Sequence, residues 1–284
     1  MPRPLTLLDP VPQCPDVSDL SWWDEYRPPW LDVVSRRPVD VIRTEALSDW
    51  NQRVRVAGNT PLQLAAIGYT TTLTSKVPPS WGNPLPSMRV PLPAKVWISS
   101  NNDHTWFGVD PVRQWYWEAS SLGPVLSWLQ APWRSDVVRA FNLQTNWTEQ
   151  PGSISASRIP VWPLVPSIEG LSAGAGGVKH ALAFVAAGYG DGPVQYPSRG
   201  TDGYIPGHPL VNGSRLRLTR KALERLAPMV KTAQDAAVLW ALEHHGCINV
   251  DKTSEDAGHA LRFPKDPRLS VTLAMQLTDF EVLF

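Results

Sequence analysis

Cysteine is nearly absent. Cys14 and Cys247 are the 2 cysteines in 284 residues, so no disulfide framework holds this fold together. A bridge tying the N-terminal region to the rest is one option; two free thiols is the other, and the missing framework favours the second. Charge is sparse as well: Asp, Glu, Lys and Arg make up 18% of the chain, and 26 basic residues balance 26 acidic ones. Without net charge or a basic stripe, nothing draws this chain to nucleic acid, and no such partner is expected. Long apolar runs are missing too. No stretch approaches the roughly 20 apolar residues of a membrane helix, so no membrane insertion is expected. The opening MPRPLTLLDPVPQCP has no basic region followed by an apolar run, so a chain made in the cytoplasm without a signal peptide is expected.

What is abundant is proline and tryptophan, 29 and 14 residues respectively. Proline fixes its own φ and lacks an N–H, which rules out long helices and interrupts strands. Tryptophan is enriched where a flat apolar surface meets a partner or a sugar face, and it also fills cores. Residues 1–50 read as an extended Pro/Trp-rich arm, with SWWDEYRPPW at its centre. The arm has neither helical nor strand periodicity, so it builds no core of its own. Leaving Trp22, Trp23, Tyr26 and Trp30 in water would cost roughly 1.5–3 kcal/mol each, so the arm is expected to lie against its own domain or a neighbouring subunit.

Residues 51–284 read as one mainly β domain. RVRVAG, LQLAAIGYTTTLTS and KVWISS alternate or carry β-branched residues between proline breaks. DHTWFGVDP and QWYWEASS read as two strands joined by a turn at Asp110–Pro111. Alternation along the second strand puts Trp115 and Trp117 on one face, Tyr116 and Glu118 on the other. The tryptophan pair is either a sugar platform or two core residues beside a solvated Glu118. From residue 158 to 218 short apolar strands alternate with Gly/Pro turns, the pattern of an all-β sandwich.

One helix stands out, over 232–245. Thr232 can cap it, Asp235 occupies the capping-box position in place of the more usual Glu or Gln, and Gly246 stops it. Its apolar stripe reads as Ala233, Ala236, Ala237, Trp240 and Leu242. CINVD and DFEVLF close the chain as strands.

Chemistry is thinly signalled. His244 and His245 diverge by about 100° on a helix and lack an i+4 partner, so no metal site is expected, and no cofactor. The phosphate-binding glycine loops and the GxSxG elbow are absent, and GLSAGAGG lacks the Lys-Ser/Thr that phosphate binding needs. The residues best suited to acid–base catalysis are Glu118, His180 and Asp251, all near predicted strand ends. The commoner reading of His180, ahead of an apolar strand, is a histidine satisfied by backbone beside a sheet. Arg215 and Arg217 share a face in SRLRL, where they either hold an anionic sugar or pair with a carboxylate of the sheet.

The order of motifs carries a resemblance. DHTWFGVDP, WYWEASS, AFNLQTNWTEQPGSISASRIPVWPLVPSIEG, GGVKHALAFVAA, YPSRGTDG, NGSRLRL, HHGCINVD and DFEVLF follow one another over about residues 95–284. That succession resembles a family of exported bacterial β-sandwich proteins of jelly-roll type, polysaccharide-associated, with versions among minor tail proteins of phages infecting actinobacteria. The chain departs from the secreted pattern in its N-terminal third and at Asn142 and His245, where the family shows Asp and an aromatic.

The resemblance implies a jelly-roll-like antiparallel β-sandwich with one short helix towards the C-terminal region and an extended N-terminal arm. It also implies a virion part at the tail tip or baseplate, docked on other phage tail proteins through residues 1–50 and present in multiple copies in a symmetric assembly. Recognition of a host-envelope glycan would then fall to Trp115 or Trp117 and Tyr196 as stacking faces, with Arg199, Asp202 and Arg217 bonding hydroxyls. The alternative is a polysaccharide-cleaving enzyme, a glycoside hydrolase or lyase, acting through Glu118, His180 and Asp251.

Overall fold

The computed structural model describes residues 44–46, 53–60, 62–64, 71–74, 87–90, 92, 96, 98, 104–110, 115–124, 133–142, 152–208, 210–252 and 258–283. Most of the arm therefore lies outside the described residues, and so does Cys14. The described residues are mainly strands with few helices. The chain divides into two compact units, Met1–Pro28 with Asn59–Ile154, and Pro29–Gly58 with Ser155–Phe284.

In chain order the strands begin with β1 (Thr44–Ala46), β2 (Arg53–Thr60), β3 (Leu62–Leu64), β4 (Thr71–Thr74) and β5 (Ser87–Val90). They continue with β6 (Trp106–Asp110), β7 (Trp115–Ser120), β8 (Gly123–Pro124), β9 (Trp133–Arg134) and β10 (Val137–Asn142). The last six are β11 (Leu182–Ala186), β12 (Arg215–Leu218), β13 (Cys247–Lys252), β14 (Ala260–Pro264), β15 (Met275–Gln276) and β16 (Phe280–Leu283). Among the described residues there are three α-helices, α1 (Ile168–Ser172), α2 (Arg220–Leu226) and α3 (Ala233–His244), of which the sequence predicts the last.

The first unit is organised by a sheet in the order β10-β7-β6-β3, with the short pairs β4-β5 and β8-β9 beside it. Strands β6 and β7 pair antiparallel, Asp110 with Trp115, while the predicted turn after Asp110 lies at 111–114, outside the described residues. Strand alternation then separates two aromatic faces. Trp106, Trp117, Ala119 and Val138 join Val90 and Leu92 in one core. On the other face Tyr116 stacks on Phe107 and Phe141, with centroids 6.3 and 5.7 Å apart. Gly108 is required here: a Cβ would fall 2.2 Å from the indole of Trp106, which lies across it.

The second unit holds an eight-stranded sheet in the order β1-β16-β12-β13-β11-β14-β2-β15. Strand β11 is apolar throughout and buried at all of its positions, the pattern of a strand covered on both faces. It pairs antiparallel with β14 and parallel with β13, Leu182 facing Cys247. Strand β12 alternates instead. Leu216 and Leu218 turn into the core, while Arg215 and Arg217 point the other way.

The helices pack on the face that Leu182, Phe184, Leu216 and Val282 present. Ile168 and Leu171 of α1, Ala222 and Leu226 of α2, and Ala237, Val238, Ala241 and Leu242 of α3 fill one apolar cluster with them. Burying each Leu or Val side chain is worth about 1.5–3 kcal/mol against leaving it in water.

The cap of α3 forms as its sequence implies. The Thr232 hydroxyl accepts from the Asp235 N–H at 3.0 Å, and the Asp235 carboxylate accepts from the Thr232 N–H at 3.1 Å. At the far end Gly246 takes φ +70°, and a Cβ there would meet the Leu216 carbonyl at 2.2 Å. The buried stripe is rotated from the expected one: Val238 and Ala241 are inside, Ala236 and Trp240 are half-buried, and Ala233 is exposed. Trp240 instead stacks on His244, centroids 4.2 Å apart, and meets His245 edge-on. Helix α2 is capped by Thr219, whose hydroxyl accepts from the Ala222 N–H at 3.1 Å.

Candidate functional site

The predicted residues are spread over both units. In the first, Trp117 is 1% exposed and belongs to the core, so it offers no free face for stacking; Trp115 is half-buried and lies against it at 6.3 Å. Of the two readings of this pair, packing is the one the geometry favours. Glu118 is fully buried rather than solvated. It accepts hydrogen bonds from the Tyr116 hydroxyl at 2.8 Å, the Ser153 hydroxyl at 2.5 Å and the Ile154 N–H at 2.9 Å. Arg139, itself buried, stands opposite it on β10 and donates to the Gly152 carbonyl. A carboxylate so committed ties the 152–154 segment to the sheet, because a buried charge needs its hydrogen bonds filled.

In the second unit His180 and Asp251 sit at opposite ends of the β11–β13 pair. His180 precedes β11 and is buried, its Nδ1 2.8 Å from the Ala181 carbonyl; Asp251 pairs with Val185 at the far end. Arg217 is spoken for by Glu281, directly opposite on β16, at 2.5 Å. That pair lines an open groove of about 630 Å³, together with Leu218, Leu223 and Leu239.

Tyr196, Arg199 and Asp202 share one loop, residues 187–214, which leaves the carboxyl end of β11 and returns to β12. Backbone bonds hold it in layers. Tyr204 and Ile205 N–H groups both donate to the Tyr189 carbonyl, at 3.1 and 3.2 Å, and the Gly190 N–H donates to Leu210 at 2.6 Å. The Gln195 N–H reaches the Asn212 carbonyl at 2.9 Å. Ser198 anchors the far side, its hydroxyl within 2.9 Å of both the Ser157 and Gly200 carbonyls. Gly203 crosses so close that a Cβ would lie 1.9 Å from the Gly190 carbonyl.

The chemistry of the loop converges on Asp202. One of its oxygens accepts the Tyr189 hydroxyl, and the other is 2.9 Å from the Lys252 ammonium at the end of β13. The same ammonium lies 5.6 Å from the centre of the Tyr204 ring, a cation–π contact. Burial first, then the bond to Asp202 and the charges of Asp202 and Asp251, hold the Tyr189 phenol protonated, so it acts as a donor. Tyr204 is 49% exposed and Tyr196 61%, the two most exposed aromatic side chains of this unit among the described residues. Arg199 is exposed, its N–H tied to the Ser157 carbonyl, and partial burial and the like charge of Arg158 lower its guanidinium pKa.

Sequence reasoning found Asp202, Arg199 and Tyr196 in this loop and missed Tyr189, Tyr204 and Lys252. Tyr204 stands two residues beyond Asp202 in DGYIPGHP and was within reach. Lys252 comes from a strand 50 positions later, and only the fold brings it in. Among the described residues no three His, Cys, Asp or Glu side chains group as a metal site, and no helix is long and apolar enough to cross a membrane. Cys247 is free and buried. Comparison with known proteins gives no matching family model, no matching curated protein and no matching solved structure.

Proposed function

We propose that the 187–214 loop recognises a glycan of the bacterial cell envelope, and that the protein serves as a minor tail protein of a phage infecting actinobacteria, at the tail tip or baseplate. The observation that carries the recognition is the exposed Tyr204 ring set beside the Asp202–Lys252 pair. An aromatic face takes the C–H side of a sugar ring, while a carboxylate and an ammonium at its edge take hydroxyls in fixed directions. Tyr196 and Arg199 extend the same loop. Recognition therefore moves from Trp115 and Trp117 to the two tyrosines, and Arg217 drops out because Glu281 already occupies it.

The tail assignment rests on the order of motifs over residues 95–284. The same resemblance supports a jelly-roll-like antiparallel sandwich as the underlying plan, modified by the parallel β11–β13 pairing. It also supports docking of residues 1–50 on other tail proteins and several copies in a symmetric assembly.

The test is capture of the purified protein on actinobacterial wall polysaccharide. Tyr204→Ala should weaken binding by about tenfold or more, in keeping with the loss of a stacked aromatic at an interface. Binding unaffected by Tyr204→Ala and Asp202→Asn defeats the recognition reading. New reducing ends, lost in Asp251→Asn, would replace recognition with cleavage.

A further inference from the structure

A histidine meets the backbone near each end of the 187–214 loop: His259 from outside it, and His208 from within it, two residues before its partner. Where the chain leaves β11, the Ala187 N–H donates to Nδ1 of His259 at 3.1 Å. Where it turns back toward β12, the Leu210 N–H donates to Nδ1 of His208 at 3.1 Å. A neutral imidazole has one acceptor nitrogen, whereas an imidazolium has two donors and no acceptor. The His259 bond therefore exists only while that ring is uncharged, and the His208 bond only in the uncharged tautomer whose Nδ1 carries no proton, since the same nitrogen also lies 3.3 Å from the Leu210 carbonyl. His259 is fully buried, its ring stacked on Phe184 at 5.9 Å, and its carbonyl accepts the Arg55 N–H. The strand end it holds leads directly to Tyr189 and Gly190, over which His208 closes: a Cβ on Gly190 would lie 2.4 Å from the His208 carbonyl.

We propose that the uncharged His259 imidazole latches the loop, with His208 as a lesser local tie, and that acid releases it by turning the acceptor nitrogen of His259 into a donor. The latch is a property of the fold and stands whatever the loop binds. The surroundings favour the neutral rings. Strand β11 contributes Phe184 and no ionisable group; β2 contributes Arg55, whose side chain is exposed; β14 contributes Arg262; β13 contributes Asp251 and Lys252, with Asp251 3.8 Å from Arg262 and Lys252 engaged by Asp202. Burial first, and the neighbouring His208 second, bring His259 down to about 4; burial lowers His208 too, against the raising effect of its contact with the Leu210 carbonyl. His208 is the softer fastening, since its protonated Nδ1 can turn to the Leu210 carbonyl at 3.3 Å.

Amide hydrogen exchange on the full chain, corrected for intrinsic rates, reads the latch. On going from neutral pH to about pH 4, protection of peptides within 187–214 should fall by about tenfold or more, while α3 and β13 keep theirs. His259→Asn places a non-titrating oxygen near the position of Nδ1, so the acid-dependent loss should shrink. Equal protection at both pH values, parallel loss in α3, or the same acid loss in His259→Asn would each overturn the latch. If that variant does not fold, imidazole ¹⁵N shifts of the unmodified protein decide the matter. An Nδ1 without its proton at neutral pH supports the latch, and a protonated Nδ1 overturns it.

Discussion

Replacing Asp235 with alanine should destabilise the helical layer of the second unit as much as truncating a core leucine. Its carboxylate is fully buried and collects four hydrogen bonds. The Lys231 and Thr232 amides reach it at 3.1 Å each, and Thr272 bonds it twice, through its N–H at 2.6 Å and its hydroxyl at 2.8 Å. The group is thus both the N3 partner in the capping box of α3 and the clasp on Thr272. Loss of its half of the capping box costs about 1 kcal/mol. Two charge-assisted bonds to Thr272 add about 1.5 kcal/mol each, so the whole change should cost roughly 3–4 kcal/mol. Asp235→Asn, which keeps one acceptor but turns an NH₂ toward N–H donors, should fall between the two.

The assay is the urea midpoint at unchanged slope, with hydrogen exchange at the Thr272 amide as the local reporter. The pH dependence supplies a second reading. Burial alone would raise the Asp235 pKa, but the bonds from Thr272, Lys231 and Thr232 outweigh it and hold the group below its ordinary 3.8. The folded state thus takes up this proton less readily than the unfolded chain. The stabilisation is complete above the unfolded value and drains away as pH falls through the lower, folded one. A loss under about 1 kcal/mol in Asp235→Ala, or an undisturbed Thr272 amide, would refute the reasoning.

Two further outcomes follow from side chains already placed. Cys247 is buried with its thiol pKa pushed up by desolvation, so thiol reagents should leave it untouched until the second unit unfolds; rapid labelling of the native protein at Cys247 would contradict that burial. A double-mutant cycle on Arg217 and Glu281 should give a coupling of about 0.5–1 kcal/mol that shrinks with salt, because the pair is partly exposed; a coupling several times larger would mean the sheet depends on it.

What could be read from the sequence was local. The antiparallel pairing of β6 with β7, the opposed faces of WYWEA and the Thr232/Asp235 cap each depend on residues within a few positions of one another, and each is present. Helix α2 escaped notice because RKALERL buries only Ala222 and Leu226 and leaves charge on the rest of its surface. The α3 stripe was read about one position out of phase because alanines on both sides of the helix left the direction of its buried face open. Distant pairings were beyond reach. Nothing near Leu182 announces that Cys247 will lie beside it in parallel, or that Lys252 and His259 will close on a loop tens of residues earlier. The fate of Trp117 was equally open, since an indole on an alternating strand suits a core and a platform alike; the core took it.

Strand β16 sits between β1 and β12, though residues 47–279 separate its first residue from the end of β1. During vectorial synthesis one flank of β12 must therefore wait, unsatisfied, until Phe280–Leu283 has left the ribosome. Strand β11 waits likewise for β13 before its parallel side is covered. Such long-range closure makes for slow maturation and a window in which bare strand edges invite self-association. Production at low temperature and low rate, or beside a chaperone, is the practical corollary of where four residues were threaded.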